Sequence, residues 1–190
     1  GAALAVSGGA FQAMFVNPLV SPGILGVLSG ASFGAALGIM ISEQWFTVQI
    51  FAFLFGFAAV FVALGVATIY KDASSKTILL VLGGVISSAL FSTLLSIVKY
   101  TADPYNKLPA IVYWLMGSFG AIDKNTAFTV FFPMAIGIVV LTLMGKYLNV
   151  LSLGDDDAKA LGVRVEIVRM TAIFFATLIS ALTVVLAGMI

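Results

Sequence analysis

Charged side chains are missing from most of this sequence, and their positions define its organisation. Residues 1–42, 44–70, 77–98, 125–145 and 170–190 contain no Asp, Glu, Lys or Arg. A hydrocarbon core about 30 Å thick is crossed by about 20 helical residues, so each stretch is long enough to span a bilayer. Apolar residues make up 62% of the 190 residues, against about 45–50% in soluble domains. The sequence therefore predicts a membrane protein.

The uncharged stretches predict an all-α fold, a polytopic transmembrane helical bundle with six spans. The run Asn-Pro-Leu-Val-Ser-Pro-Gly at residues 17–23 divides the first stretch into a short span and a second one from about 24 to 42. The period-2 alternation of a membrane barrel is not found. We expect one transmembrane domain over residues 1–190. Because the sequence begins and ends inside uncharged stretches, we also expect it to be part of a longer protein.

Basic residues divide unevenly between the loops on the two sides of this bundle. The loops at residues 17–22, 70–76 and 146–169 hold six Lys or Arg residues, whereas the turn at Glu43 and the loop at 99–124 hold three. Cytoplasmic loops carry the excess of Lys and Arg, so the first set is predicted to be cytoplasmic. The segment 146–169 would then face the cytoplasm, and the Tyr and Trp residues of loop 99–124 would lie at the outer interface.

Composition excludes several classes of function. The sequence has no Cys and no His, which removes disulfides, thiolate chemistry and imidazole metal ligands. A net charge of +1 without a basic cluster provides no surface for nucleic acid. Gly145 and Lys146 lack the spacing of a phosphate-binding loop, and the three consecutive aspartates lack the alternating spacing of a calcium loop. We expect no metal site and no cofactor on this chain, and an enzyme is the least favoured class.

Four glycines recur every fourth residue along the second predicted span. Gly26, Gly30, Gly34 and Gly38 would form a slowly winding groove on one helix face. Small residues at this spacing allow a neighbouring helix backbone to approach closely. We interpret them as a helix-packing surface.

A serine stripe marks the span at residues 77–98. Ser88, Ser92 and Ser96 follow Gly84 at intervals of four residues. The pattern is compatible with tight helix packing, and equally with the lining of a translocation path, because hydroxyl groups offer exchangeable hydrogen bonds to a polar solute. None of the predicted spans contains an ionisable residue, which argues against a proton relay or an ion-coupled carrier.

The segment 152–169 concentrates charge that the rest of the chain avoids. Ser152 is predicted to cap a short helix, the aspartates at 155–157 to occupy its first turn, and Gly162 to end it in the left-handed conformation. A second short helix is predicted to open near Val165 and to lead into the last span. The sequence thus indicates two small cytoplasmic helices.

Apolar residues are interleaved with these charges. Leu153, Leu161 and Val163 lie among the charged positions. A merely solvated hairpin remains one reading. The mixture of apolar and charged side chains favours another, in which the segment docks into a groove of a cytoplasmic partner.

Three blocks of sequence carry a family resemblance. They are residues 1–37, 113–120 and 148–163. The first block is the most specific, and its defining residues include Gln12, Asn17 and Pro18. In their order and separation these blocks resemble the permease subunits of binding-protein-dependent ABC importers for iron-siderophores, haem and cobalamin.

The resemblance implies a ten-helix subunit of which this chain forms helices two to seven. It implies a multi-pass protein of the bacterial or archaeal cytoplasmic membrane that pairs with a second permease copy around a translocation path. A separate ABC ATPase subunit would bind ATP, and a periplasmic or lipid-anchored substrate-binding protein would deliver the solute near residues 113–120. The helix at 77–98 would flank the path, which favours the path role for its serines.

The resemblance also implies that the ATPase engages the cytoplasmic segment within residues 146–169. Family members commonly carry Glu in the L-G-E-x-x-A part of this block, where this chain has aspartates, which keep the charge on a shorter side chain. An ion-coupled secondary transporter and a truncated, non-transporting membrane scaffold are the alternatives. The expected ATPase-coupling residues are Ser152, Leu153, Gly154, Asp155, Asp156, Asp157, Ala158, Leu161, Gly162 and Arg164.

Overall fold

The computed structural model describes residues 1–42, 44–69, 76–118, 120, 122 and 124–189. These described residues contain helices and no strand, so the all-α prediction is confirmed. A short 3-10 helix, Pro22–Leu25, precedes the second α-helix. The α-helices are α1 (Ala2–Phe15), α2 (Val27–Ile41), α3 (Trp45–Ile69), α4 (Lys76–Thr101), α5 (Lys107–Met116), α6 (Lys124–Leu143), α7 (Gly145–Leu151), α8 (Asp155–Ala160) and α9 (Val165–Ala187).

Four of these helices are long and apolar enough to cross a membrane, namely α3, α4, α6 and α9. Helices α1 and α2 are equally apolar but have only 14 and 15 residues. At 1.5 Å per residue they extend about 21–23 Å, less than a hydrocarbon core. A helix therefore occupies each of the six predicted spans, while the number of full crossings remains a prediction.

The chain divides into two compact units. Unit 1 comprises Gly1–Pro22 and Phe128–Ser180, and unit 2 comprises Gly23–Ala127 and Ala181–Ile190. Helices α6 and α9 each contribute residues to both units. The expectation of a single domain remains a prediction, and each unit is described by itself.

Unit 2 is built on the close packing of α2 against α3. A methyl group added at Gly34 would lie 2.2 Å from the carbonyl oxygen of Phe51, and one at Gly30 would lie 2.3 Å from that of Phe55. At Gly38 the nearest atom would be Cα of Val48, at 2.9 Å. Only glycine permits such an approach of two helix backbones. Three of the four stripe glycines therefore lie where α3 comes closest.

The prediction that Gly26 belongs to the glycine stripe of the second span is wrong. This residue precedes α2 as its N-cap residue and has φ 86°, a left-handed conformation. Gly26 therefore lies in a turn before the helix. Glycine suits this position because only glycine adopts that backbone conformation without a steric cost. A methyl group there would lie 3.1 Å from Oγ of Ser87 in α4. Gly26 thus faces a different helix from the other three.

Helix α5 was not predicted. Sequence reasoning placed Tyr113 and Trp114 in an outer loop, but both belong to a ten-residue helix. Trp114 is buried in the core of unit 2, while Tyr113 is exposed. The ammonium group of Lys107 donates a 3.0 Å hydrogen bond to the carbonyl oxygen of Ile39 near the C-terminus of α2. That end of a helix favours a cation because its carbonyl groups lack intrahelical partners.

Unit 1 begins with α1, which packs against α7. Phe11 and Met14 of α1 are buried, as are Leu148 and Leu151 of α7. Helix α7 in turn contacts α8. A methyl group at Gly137 of α6 would lie against the side chain of Ile179 in α9, so glycine again permits a close approach.

Two residues of the first family block, Gln12 and Asn17, form hydrogen bonds in the turn that follows α1. The side-chain amide of Gln12 donates a 2.9 Å hydrogen bond to the carbonyl oxygen of Pro18. The side-chain oxygen of Asn17 accepts one from the N–H of Leu19, also at 2.9 Å. Val16 between them has φ 50°, which is uncommon for a branched residue. The structure therefore gives Gln12 and Asn17 a local role in shaping this turn.

We expect Gly34→Ala to destabilise the protein by about 1–3 kcal/mol, because the added methyl group would force α2 and α3 apart. Thermal unfolding in detergent would measure the change. Gly65→Ala in α3 is the matched control, since a methyl group there would meet nothing within 4 Å. Equal effects of the two substitutions would contradict the packing role.

Candidate functional site

The charged segment adopts a helix between two turns. Helix α8 has six residues, with Asp155, Asp156 and Asp157 in its first turn. Negative charge is favourable there because the N–H groups of the first turn are unpaired. Gly162 has φ 79°, the left-handed conformation predicted from the sequence. The N–H of Val163 bonds to the carbonyl oxygen of Ala158 at 3.0 Å and ends the helix.

Two local predictions for this segment are wrong. Ser152 does not cap α8, because its hydroxyl donates to the carbonyl oxygen of Asn149 at 2.7 Å, at the end of α7. The N-cap residue is Gly154, which makes no side-chain hydrogen bond. The second short helix does not exist as a separate element either, since α9 runs without interruption for 23 residues from Val165. The last span therefore starts at the charged segment itself.

Helix α8 presents two different faces. Ala158 is 0% exposed and Asp155 is half-buried, whereas Asp156 and Asp157 are exposed. Because successive helical residues are rotated by about 100°, three consecutive aspartates cannot point the same way. A helix of six residues is not stable by itself in water. Its inner face must therefore hold it in place.

An ion pair connects the inner face of α8 to α9. The guanidinium of Arg169 donates two hydrogen bonds to the carboxylate of Asp155, at 2.5 Å and 3.1 Å. The Arg169 side chain is 6% exposed and that of Asp155 is 31% exposed. Breaking a pair of this kind from one side costs about 3 kcal/mol, because a buried charge is left without a partner. Sequence reasoning noted both charges but had no means of pairing residues 14 positions apart.

The outward residues of this segment combine charge with apolar surface. Leu153 and Leu161 are 60% and 63% exposed, on either side of α8. Lys159 and Asp156 form a surface pair at 3.3 Å, which contributes little to stability. We call the following residues the exposed patch: Leu153, Asp156, Asp157, Leu161 and Arg164.

The serines of α4 fall into two groups. Ser87 is fully buried and donates to the carbonyl oxygen of Ala59 in α3 at 2.7 Å, so its role is in packing. Ser92 and Ser96 are exposed and Ser88 is half-buried. The hydroxyl of Ser92 lies 3.4 Å from that of Ser29 in α2, a residue that sequence reasoning missed. Ser29 is itself half-buried, so α2 contributes a partly covered hydroxyl group beside the exposed serines of α4.

Across the described ranges of the chain, no three Asp or Glu side chains come together as a group able to hold a metal ion.

A model of the FecCD transport family matches residues 1–190. The chain belongs to the FecCD transport family. Similar curated proteins include the molybdate import system permease protein MolB of Haemophilus influenzae, with 38% identity over 190 residues. A probable iron chelatin transport system permease protein of Helicobacter pylori is 34% identical over 190 residues. The vitamin B12 import system permease protein BtuC of Citrobacter koseri is 30% identical over 193 residues. The resemblance seen in the sequence is thus confirmed.

These FecCD relatives are longer than this chain. The alignments cover 100% of this chain and 56–57% of each relative. A solved structure, described as a metal-chelate type ABC transporter in an inward-facing conformation, matches with a TM-score of 0.88 and 38% identity. It covers 99% of this chain, which spans 60% of that chain. The helical architecture is therefore that of a FecCD permease.

We expect Ser87→Val to destabilise the protein by about 1–3 kcal/mol, because valine cannot donate the hydrogen bond to Ala59 and is larger than serine at a fully buried position. Ser96→Val, on the exposed side of the same helix, should leave the unfolding temperature unchanged. Thermal unfolding in detergent would compare them. If both variants unfolded at the same temperature, the division of the serines into a packing group and a surface group would be wrong.

Proposed function

We propose that this chain is part of the transmembrane permease subunit of an ABC importer, in the cytoplasmic membrane of a bacterium or archaeon. The solute would be a metal-containing compound of the iron-siderophore, haem or cobalamin class, and the molybdate relative extends the candidates to metal oxyanions. The chain itself would carry out no chemical step. A separate ATPase subunit would hydrolyse ATP, and a substrate-binding protein would deliver the solute.

The observation that supports this proposal most is the construction of the α8 segment. The exposed patch presents charged and apolar side chains at a short helix whose inner face is held by a buried ion pair. Such a surface suits docking into a groove of another protein, because apolar side chains supply affinity and charges supply orientation. We assign the exposed patch to the ATPase subunit.

The translocation path is assigned to the hydroxyl-bearing surface of unit 2. Ser92 and Ser96 lie there exposed, and Ser29 and Ser88 are partly covered. Hydroxyl groups bind a polar solute through hydrogen bonds that are readily exchanged, so the solute is not retained. A second permease copy would supply the opposite wall, and the solute would pass by alternating access.

The substrate-binding protein is assigned to α5 and the turn before it, on the side that the distribution of basic residues predicts to be the outer one. The aromatic residues Tyr105 and Tyr113 of this region are 87% and 71% exposed. Tyrosines are enriched in protein interfaces because they bring a large contact area and a polar group at a low entropic cost.

We expect the double variant Asp156→Lys and Asp157→Lys to bind the ATPase subunit at least about tenfold more weakly, a loss of about 1.4 kcal/mol. Pull-down and titration of the cognate ATPase subunit with the detergent-solubilised transporter would measure it. Lys124→Asp, a charge reversal at the first residue of α6 and outside the exposed patch, is the control and should bind normally. Undiminished binding by the double variant would remove the exposed patch from the interface.

Sidedness provides an independent test. This chain has no Cys, so single-cysteine variants can be made without removing native thiols from it. In sealed vesicles, a membrane-impermeant maleimide should label Asp157→Cys from the cytoplasmic side and Tyr113→Cys from the outer side. Labelling of Asp157→Cys from outside would put α8 beyond the reach of a cytoplasmic ATPase and would refute the proposal.

A further inference from the structure

The three aspartates of α8 differ in what they contact, and the difference points to two separate roles. Asp155 is turned inward and bound to Arg169, whereas Asp156 and Asp157 are exposed. On the basis of the proposed ATPase docking, we propose that the ion pair of Asp155 and Arg169 transmits movement of α8 to α9. We call this ion pair the brace. Asp156 and Asp157 remain available to the partner. Asp155 and Arg169 are thus positioning residues that need not contact the ATPase.

The backbone around α8 shows why a brace is needed. Gly154 before the helix has φ 109° and Gly162 after it has φ 79°. Neither glycine would meet another atom within 4 Å if a methyl group were added, so neither is confined by packing. Residues without a side chain rotate most freely about the backbone. Without a side-chain contact, α8 could pivot at both ends when a partner pushes on it.

The ion pair restricts that pivot by its geometry. Two parallel hydrogen bonds between a guanidinium and a carboxylate fix orientation as well as distance. In the described part of the chain, all hydrogen bonds of the Arg169 guanidinium go to Asp155, and its Nε has no partner. Any rotation of α8 away from α9 would therefore leave a cation in a buried position without compensation.

The brace contacts α9 about one helical turn beyond the first residue of that helix. The covalent connection, residues 161–164, meets α9 at Val165, while Arg169 lies four residues further along, about one helical turn. Force applied to α8 thus reaches α9 at two points separated by a turn. Two points of attachment can tilt or rotate a helix, whereas a single one at its end transmits mainly a pull.

The brace is tested in the complete transporter reconstituted in nanodiscs with its ATPase subunit. A bimane fluorophore is attached through Phe174→Cys, an exposed position of α9, and the probe added is MgATP with vanadate. Any cysteine outside this chain is removed first. The variants are Asp155→Asn, Arg169→Gln and their combination. Lys159→Gln, which removes an exposed charge from the same helix outside the exposed patch, is the matched control. Two quantities are recorded: the affinity for the ATPase subunit, and the nucleotide-induced change in the emission wavelength of the bimane, called the bimane shift.

We expect Asp155→Asn to keep ATPase-subunit affinity within about twofold while losing at least half of the bimane shift. Lys159→Gln should keep the full shift, and the double variant should be no worse than either single variant, because both single substitutions remove the same interaction. Hydrogen exchange of the α8 amides should be about tenfold faster in Asp155→Asn than in the unchanged protein or Lys159→Gln. A normal shift with normal exchange in Asp155→Asn would overturn the brace.

The variant Arg169→Lys distinguishes misfolding from a loss of transmission between α8 and α9. This variant keeps the positive charge but cannot donate two parallel hydrogen bonds, so it should fold, bind the ATPase subunit and show a reduced shift. An undiminished shift in Arg169→Lys would count against the brace. If the unchanged transporter failed to bind the ATPase subunit, the docking proposal itself would fall, and hydrogen exchange would still decide whether Asp155 fixes α8.

Discussion

The lack of water inside a bilayer is the constraint on which this structure depends. Each backbone amide in that environment must bond within its own helix, so helices can gain contact only by fitting against one another. In unit 2 this is visible at Gly30 and Gly34, where the backbone of α3 occupies the space that a side chain would fill. Ser87 adds a hydrogen bond to a helix carbonyl at a comparable contact of α4. Unit 2 is therefore stabilised mainly by close contacts between its helices, with few hydrogen bonds between side chains and neighbouring helices.

Much of this architecture follows from where charges are absent. Helices α3 and α4 begin and end near the predicted positions because charged residues bound them, and a bilayer excludes charge. The four-residue spacing of small residues likewise indicated which face of α2 would meet a neighbour. The same reasoning included Gly26 in that face, since spacing does not reveal that its φ is positive and that the helix has not yet begun.

Other features depended on contacts that a linear pattern does not contain. Helix α5 was overlooked because Lys107 and the tyrosines suggested an interfacial loop, whereas Trp114 is buried in the core of unit 2. Ser152 was expected to act as a cap because serine often does so, but it bonds backwards to α7. For the candidate site, the sequence revealed the acidic helix and its end at Gly162. The pairing of Asp155 with Arg169 needed the three-dimensional structure, because it depends on the rotation of α8.

The division of α8 into a held face and a free face has an evolutionary consequence. Ala158 and Asp155 are tied to the fold, so few replacements at these positions would preserve it. The outward positions bear little of the folding energy, and substitutions there are expected to be nearly neutral for stability. Under the proposed docking, a lineage could therefore change which ATPase subunit it binds by altering a few surface residues, while the ion pair beneath them stayed intact.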